Sequence, residues 1–158
     1  GKTTFALSLQ EKIENELMQR PILLDGDALR EALKTESAHN PDQRKKMALF
    51  YHSLSTLISQ QGQCVICATI SMFEEVRILN RTKNDFYCEI FLDVEDTLRN
   101  QRKNNGSLRK EDITSNNTSF SLPQKPDFIF KNMLEDEIDY SCNSVIEFLK
   151  ENWVEKQS

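Results

Sequence analysis

The sequence predicts an α/β fold, a parallel sheet wrapped by helices in three layers, on three observations. Helical and strand patterns alternate along the whole chain, the order that leads to parallel strands joined by helical crossovers. The 158 residues suit a single domain over 1–158, with no internal repeat or linker, and 38% apolar residues against 28% charged ones can build a core. Two acidic residues, Asp25 and Asp27, stand at the end of a short apolar run, where open α/β sheets hold their ligands.

Phe5, Leu9, Ile13 and Leu17 recur near the helical period and predict a helix over 3–19, which Pro21 stops. Ile22, Leu23 and Leu24 form a short strand running into Asp25-Gly26-Asp27, and a polar turn there leads to a short helix over 28–34. Asn40-Pro41-Asp42 reads as a helix start, with Met47, Leu54, Leu57 and Ile58 on one face and Gly62 past its end. The β-branched run over 64–70 predicts a buried strand, and a polar helix over 74–84 follows. A further strand spans 87–94 and a further helix 95–103. From 104 to 124 the apolar periodicity fails. An unpatterned stretch longer than about 12–15 residues in a compact domain predicts a flexible functional lid. Pro126 introduces a last strand, Phe128 to Lys131, and a final helix covers 135–153.

A formal net charge of −5 argues against a partner such as polymeric nucleic acid, whose phosphates reward clustered Lys and Arg. A small anion needs only a local basic pocket. No apolar run reaches the roughly 18 residues that span a bilayer, and the start lacks the layout of a secretory signal, so the expected setting is cytoplasmic with no membrane partner. Cys64 and Cys67 form a C-x-x-C, but on a strand residues three apart face opposite ways. With Cys88 and Cys142 far off in sequence, four reduced structural cysteines are expected. His39 and His52 have no acidic partner at catalytic spacing.

Gly1-Lys2-Thr3-Thr4 matches the end of the pattern G-x-x-x-x-G-K-[ST] and leads directly into a helix, the context that pattern requires. Backbone N–H groups at the helix start can hold phosphate oxygens, Lys2 can reach the β- and γ-phosphates, and the Thr3 hydroxyl can ligate Mg²⁺. Such a loop expects a preceding strand and five earlier loop residues upstream of Gly1. Asp25 and Asp27 lie on the next strand's carboxyl end, where they can organise metal-bound water or take a proton from an acceptor hydroxyl.

The series Gly1-Lys2-Thr3-Thr4, Leu23-Leu24-Asp25-Gly26-Asp27-Ala28-Leu29-Arg30, Ala68-Thr69-Ile70-Ser71, Glu89-Ile90-Phe91-Leu92-Asp93 and Arg102 resembles the adenylyl-sulfate kinases over nearly the whole chain. The L-D-G-D-x-x-R and A-x-I-S stretches are its most specific parts. The resemblance implies a P-loop kinase fold and transfer of the ATP γ-phosphoryl to the 3′-hydroxyl of a small nucleotide acceptor with a modified 5′ end, such as adenylyl sulfate. It implies that Gly1, Lys2, Thr3, Thr4 and Arg102 bind ATP, that Thr3 and Asp25 hold Mg²⁺, and that Lys2 and Asp25 are catalytic. Asp27, Arg30, Arg44, Ile70 and Ser71 would bind the acceptor, with Phe73 and Phe120 sandwiching its base. A homodimer is compatible with it.

The departures fall on the acceptor side. The family usually carries an Asn and paired arginines after the D-R of its third helix. Here Arg44 stands, but the aligned positions are Met47, Leu49 and Phe50. The lid's usual R-D-x-K-G-L-Y reads Arg102-Lys103-Asn104-Asn105-Gly106-Ser107-Leu108, and the lid is shorter. Losing two charge-assisted contacts of about 1.5–3 kcal/mol each weakens an anionic acceptor by orders of magnitude unless Lys45, Lys46 or lid cations replace them. The chain is therefore also similar to kinases of surface-polysaccharide pathways that phosphorylate cytidine diphosphoramidate. A reading of another class is a non-catalytic P-loop protein that binds nucleotide without turnover.

Overall fold

The computed structural model describes residues 1–34, 41–70, 73–95 and 121–154. The predicted helix over 95–103 and most of the predicted lid lie outside these residues. Helix α1 (Lys2–Leu17) buries Phe5, Ala6, Leu9 and Ile13, a stripe at the helical period. It ends at Met18, whose φ of 55° is left-handed, a conformation that cannot continue a right-handed helix. Gln10 Nε2 donates to the Pro21 carbonyl at 2.7 Å and ties the exit of α1 to the start of strand β1 (Ile22–Asp25).

Helix α2 (Gly26–Ala32) begins at once, without the predicted polar turn. Helix α3 (Pro41–Ser59) is followed by Gly62 at φ +79°, the left-handed position glycine accepts without strain. Its buried residues are Ala48 and Tyr51, whereas Leu57, assigned to the core face from sequence, is 57% exposed. Strand β2 (Val65–Ala68) is shorter than the predicted 64–70 and only partly buried, with Cys67 exposed. The four cysteines are free thiols, as expected. Helix α4 (Glu74–Lys83), strand β3 (Ile90–Asp93) and strand β4 (Phe128–Lys131) follow. The last helical region is a 3₁₀ turn (Glu135–Glu137), helix α5 (Ile138–Leu149) and a π turn (Lys150–Val154).

The strands are parallel, as the alternating order predicts. They form two pairs among the described residues: β1 with β2, in the register Ile22↔Val65 to Asp25↔Ala68, and β3 with β4, from Ile90↔Phe128 to Asp93↔Lys131. One hydrophobic core joins them. Phe5, Leu9 and Ile13 of α1 meet Cys142, Val145, Ile146 and Leu149 of α5, and Ile66 from one pair packs there with Ile90, Leu92, Phe128 and Phe130 from the other. The Phe5 and Phe130 rings lie 5.6 Å apart. A smaller core of Ala48, Phe73 and Val76 forms where α3 crosses α4. No described helix is long and apolar enough to cross a membrane.

Burial ranks the side chains by cost. Ile146 is 0% exposed in the shared core, so Ile146→Ala is expected to lower the unfolding free energy by about 2–5 kcal/mol. Leu57→Ala, on the exposed side of α3, is expected to change it by less than about 0.5 kcal/mol. Urea denaturation followed by circular dichroism measures both, and equal effects would overturn this assignment of the core.

Candidate active site

Asp25 ends β1 in an extended conformation (φ −86°, ψ 129°) and serves as the N-cap of α2. Its Oδ1 accepts from the amides of Asp27 at 2.9 Å and Ala28 at 3.2 Å, the usual way an Asp satisfies the unpaired donors of a helix start. Its Oδ2 accepts from the Thr3 hydroxyl at 2.8 Å, across 22 positions of sequence. The sequence predicts a polar turn between this acidic pair and a helix beginning at Ala28; the structure starts the helix at Gly26 and uses Asp25 as its cap.

Burial alone would raise the Asp25 carboxyl. The Thr3 hydroxyl, the two amides and the nearby Lys2 cation outweigh it and hold the pKa below the ordinary value. An ionised carboxylate at this point is a poor proton acceptor and a good partner for a cation. The oxygens of Asp25 and Thr3 are hard donors of the kind Mg²⁺ takes, one or two at a time, alongside phosphate and water. With its proton directed to Asp25, the Thr3 hydroxyl keeps lone pairs for a metal. These residues therefore fit the implied ion.

Gly1 to Thr4 are exposed at the start of α1, and Lys2 opens the helix. Beyond the cap, Asp27 forms an ion pair with Arg30 one turn along α2. The predicted acceptor residues Asp27 and Arg30 are thus engaged with each other. Gly26 packs closely against the end of β2: a Cβ there would lie 3.3 Å from Thr69 Cγ2, a tight contact, and 3.5 Å from the Ala68 carbonyl. Ile70 is 49% exposed just past β2. Arg44 sits half-buried on α3. Lys45, a candidate replacement cation, pairs with Glu75 of α4 at 2.6 Å. Phe73, expected against the acceptor base, is instead 6% exposed and packed with Ala48 and Val76; its ring fills the junction of α3 and α4. Ser71, Arg102 and Phe120 lie outside the described residues.

Sequence reading missed Tyr51. It is 5% exposed, and its hydroxyl donates to the Gly26 carbonyl at 3.3 Å. Burial raises its phenol, and the nearby Arg30 guanidinium opposes that rise. The signal was present as an aromatic three positions after Ala48, but the larger apolar residues at 47, 54 and 57 drew the face elsewhere.

The sequence profile of the adenylylsulphate kinase family matches residues 1–131. The chain belongs to that family. A cytidine diphosphoramidate kinase of Campylobacter jejuni is 31% identical over 155 residues, covering 94% of this chain and 89% of that protein. An adenylyl-sulfate kinase of Pseudomonas aeruginosa is 27% identical over 160 residues, covering 96% and 81%. The solved structure of the Mycobacterium tuberculosis APS kinase CysC in complex with AMPPNP and APS superimposes with a TM-score of 0.76 at 25% identity, covering 95% of this chain and 91% of that one. The fold is thus that of the P-loop kinases of this family, and the protein is a nucleotide-binding phosphotransferase.

Linkage gives the site a pH signature. A carboxyl lowered on folding contributes stability that is present above its unfolded value and lost as pH falls through the folded one. The acid limb of thermal stability below about pH 4 should therefore flatten in Asp25→Asn, relative to wild type. Melting temperature measured across that range checks it; an unchanged slope would remove Asp25 from this role.

Proposed function

We propose that this chain transfers the γ-phosphoryl group of MgATP to the 3′-hydroxyl of a nucleotide whose 5′ end is modified. The observation that carries this reading is the 2.8 Å hydrogen bond from Thr3 to Asp25. It brings the phosphate-loop hydroxyl and the acidic end of β1 to one point, the arrangement phosphoryl transfer uses. Lys2 and the first amides of α1 bind phosphate oxygens, and Arg102 is assigned to ATP. Thr3 and Asp25 hold Mg²⁺, which when bound neutralises charge on the β- and γ-phosphates. Asp25 acts by orienting these groups and not as a strong base, since its carboxyl is held in the ionised form. The loose transition state of phosphoryl transfer needs positioning and charge more than proton removal.

On the acceptor side, Arg30, Arg44, Asp27, Ile70, Ser71 and Phe120 are assigned to the nucleotide. Two observations favour cytidine diphosphoramidate over adenylyl sulfate as the acceptor. Met47, Leu49 and Phe50 stand where adenylyl-sulfate kinases carry an Asn and paired arginines, and Lys45 is committed to Glu75. The 31% identity to the Campylobacter jejuni cytidine diphosphoramidate kinase points the same way. This reading carries a cytosolic setting and leaves a homodimer to be measured.

ADP release from the full-length protein, coupled to NADH oxidation, tests the reading with cytidine diphosphoramidate, adenylyl sulfate and unmodified nucleotides. The expected result is turnover of the first with the highest kcat/KM, reduced at least about a hundredfold by Lys2→Ala. Faster turnover of adenylyl sulfate would reverse the choice of acceptor. ATP binding by calorimetry without turnover of any acceptor would favour a non-catalytic P-loop protein.

A further inference from the structure

Arg77 of α4 is 4% exposed, yet the reaction described above gives it no task. Its Nη2 donates to Glu74 Oε2 at 2.6 Å, to the Ser121 carbonyl and Ser121 Oγ, both at 2.9 Å, and to the Leu122 carbonyl at 3.2 Å. Its Nε donates to Glu74 Oε2 at 3.0 Å and lies 3.4 Å from Glu89 Oε1. One turn further along the helix, Arg81 Nη2 donates to the Lys125 carbonyl at 2.9 Å, to Asp127 Oδ2 at 2.9 Å and to Glu89 Oε2 at 3.2 Å. Asp127 Oδ2 in turn accepts from the Glu89 amide at 2.7 Å. Two arginines thus bind the irregular strip 121–127 to α4 and to the residue that precedes β3.

The other end of α4 meets the acceptor side. Phe73 is the N-cap, and its carbonyl accepts from the amides of Val76 at 3.1 Å and Arg77 at 3.2 Å. Phe73 also fills the core against α3, and Ile70 lies three positions before it. A residue whose backbone amide bonds to Phe73 and whose guanidinium holds Ser121 and Leu122 fixes both against one helix. The phosphate side is built on different elements, from α1 to the Asp25 cap of α2.

We infer that Arg77 is a positioning residue for the acceptor, and not for ATP, because it locks Ser121 and Leu122 to the N-terminal turn of α4, whose N-cap Phe73 follows Ile70 by three positions. The Arg77 Nε holds Glu74 and faces Glu89 while Nη2 reaches on to Ser121 and Leu122; a lysine keeps the charge but offers a single nitrogen on a shorter stem. The inference rests on the acceptor reading for Ile70 given above.

Arg77→Lys in the full-length protein is the first test, and Glu74→Gln, at the more exposed partner, is the second variant should the first not fold. The expected result for Arg77→Lys is an acceptor KM raised about tenfold with the KM for MgATP changed less than twofold. Amide hydrogen exchange should accelerate over 121–125, and Glu74→Gln should move both readouts less and in the same direction. The two KM values rising together, or exchange over 121–125 staying at the wild-type rate, would overturn it. If wild-type protein turns over no nucleotide, the kinase reading fails by itself, and unchanged or faster exchange over 121–125 then decides the clamp alone.

Discussion

The Asp25 carboxylate is the point on which the phosphate side of this molecule depends. A strand can end in many ways, but this one ends in a side chain that satisfies two amides of the helix after it and one hydroxyl of the helix before it. Three elements, α1, β1 and α2, therefore share a single anion. Each contact favours the charged form, which is why the carboxyl stays low despite partial burial. The same contacts fix the orientation of the Thr3 hydroxyl. A cap that holds a helix in place and a ligand that holds a metal differ only in what occupies the remaining lone pairs.

How far the sequence could be read follows from where the information lies. The order of elements, the parallel pairing, the bounds of β4 and the glycine after α3 depend on local period and local backbone chemistry, and all were legible. The start of α2 was not, because Asp-Gly-Asp suits a turn and a capped helix equally until Thr3 is known to be near. The buried face of α3 was misjudged because Ala48 is small and Tyr51 carries a hydroxyl, so both rank below Met47 and Leu57 on any apolar scale. What decides the face is Phe73, which arrives from α4. The sharing of one core between the two strand pairs found among the described residues is likewise a property of packing and has no local signature.

Two of the cations on α2 and α3 come with carboxylates. Arg30 has Asp27 and Lys45 has Glu75. A cation already paired offers an incoming anion less than its formal charge suggests, because the anion must compete with a partner the fold holds close. Met47, Leu49 and Phe50, close to Lys45 on the same helix, add no positive charge.

Burying an arginine to 4% exposure calls for a physical reason, since a well-packed apolar side chain of similar volume often stabilises as much or more. The reason lies in its partners. Ser121, Leu122 and Lys125 present backbone carbonyls from a stretch with no ladder or helix to satisfy them, and each accepts from one of the two guanidinium groups. A hydrophobic residue at 77 would take these donors from the Ser121 and Leu122 carbonyls and leave Glu74 without its buried partner. The planar fork of Arg77 and the reach of Arg81 supply several donors from one helix face, while Glu74, Glu89 and Asp127 balance their charge. Burial raises the Glu89 carboxyl, and both arginines pull it back. Irregular chain beside β3 and β4 is thereby held in one arrangement by side chains, where elsewhere in the fold backbone pairing alone suffices.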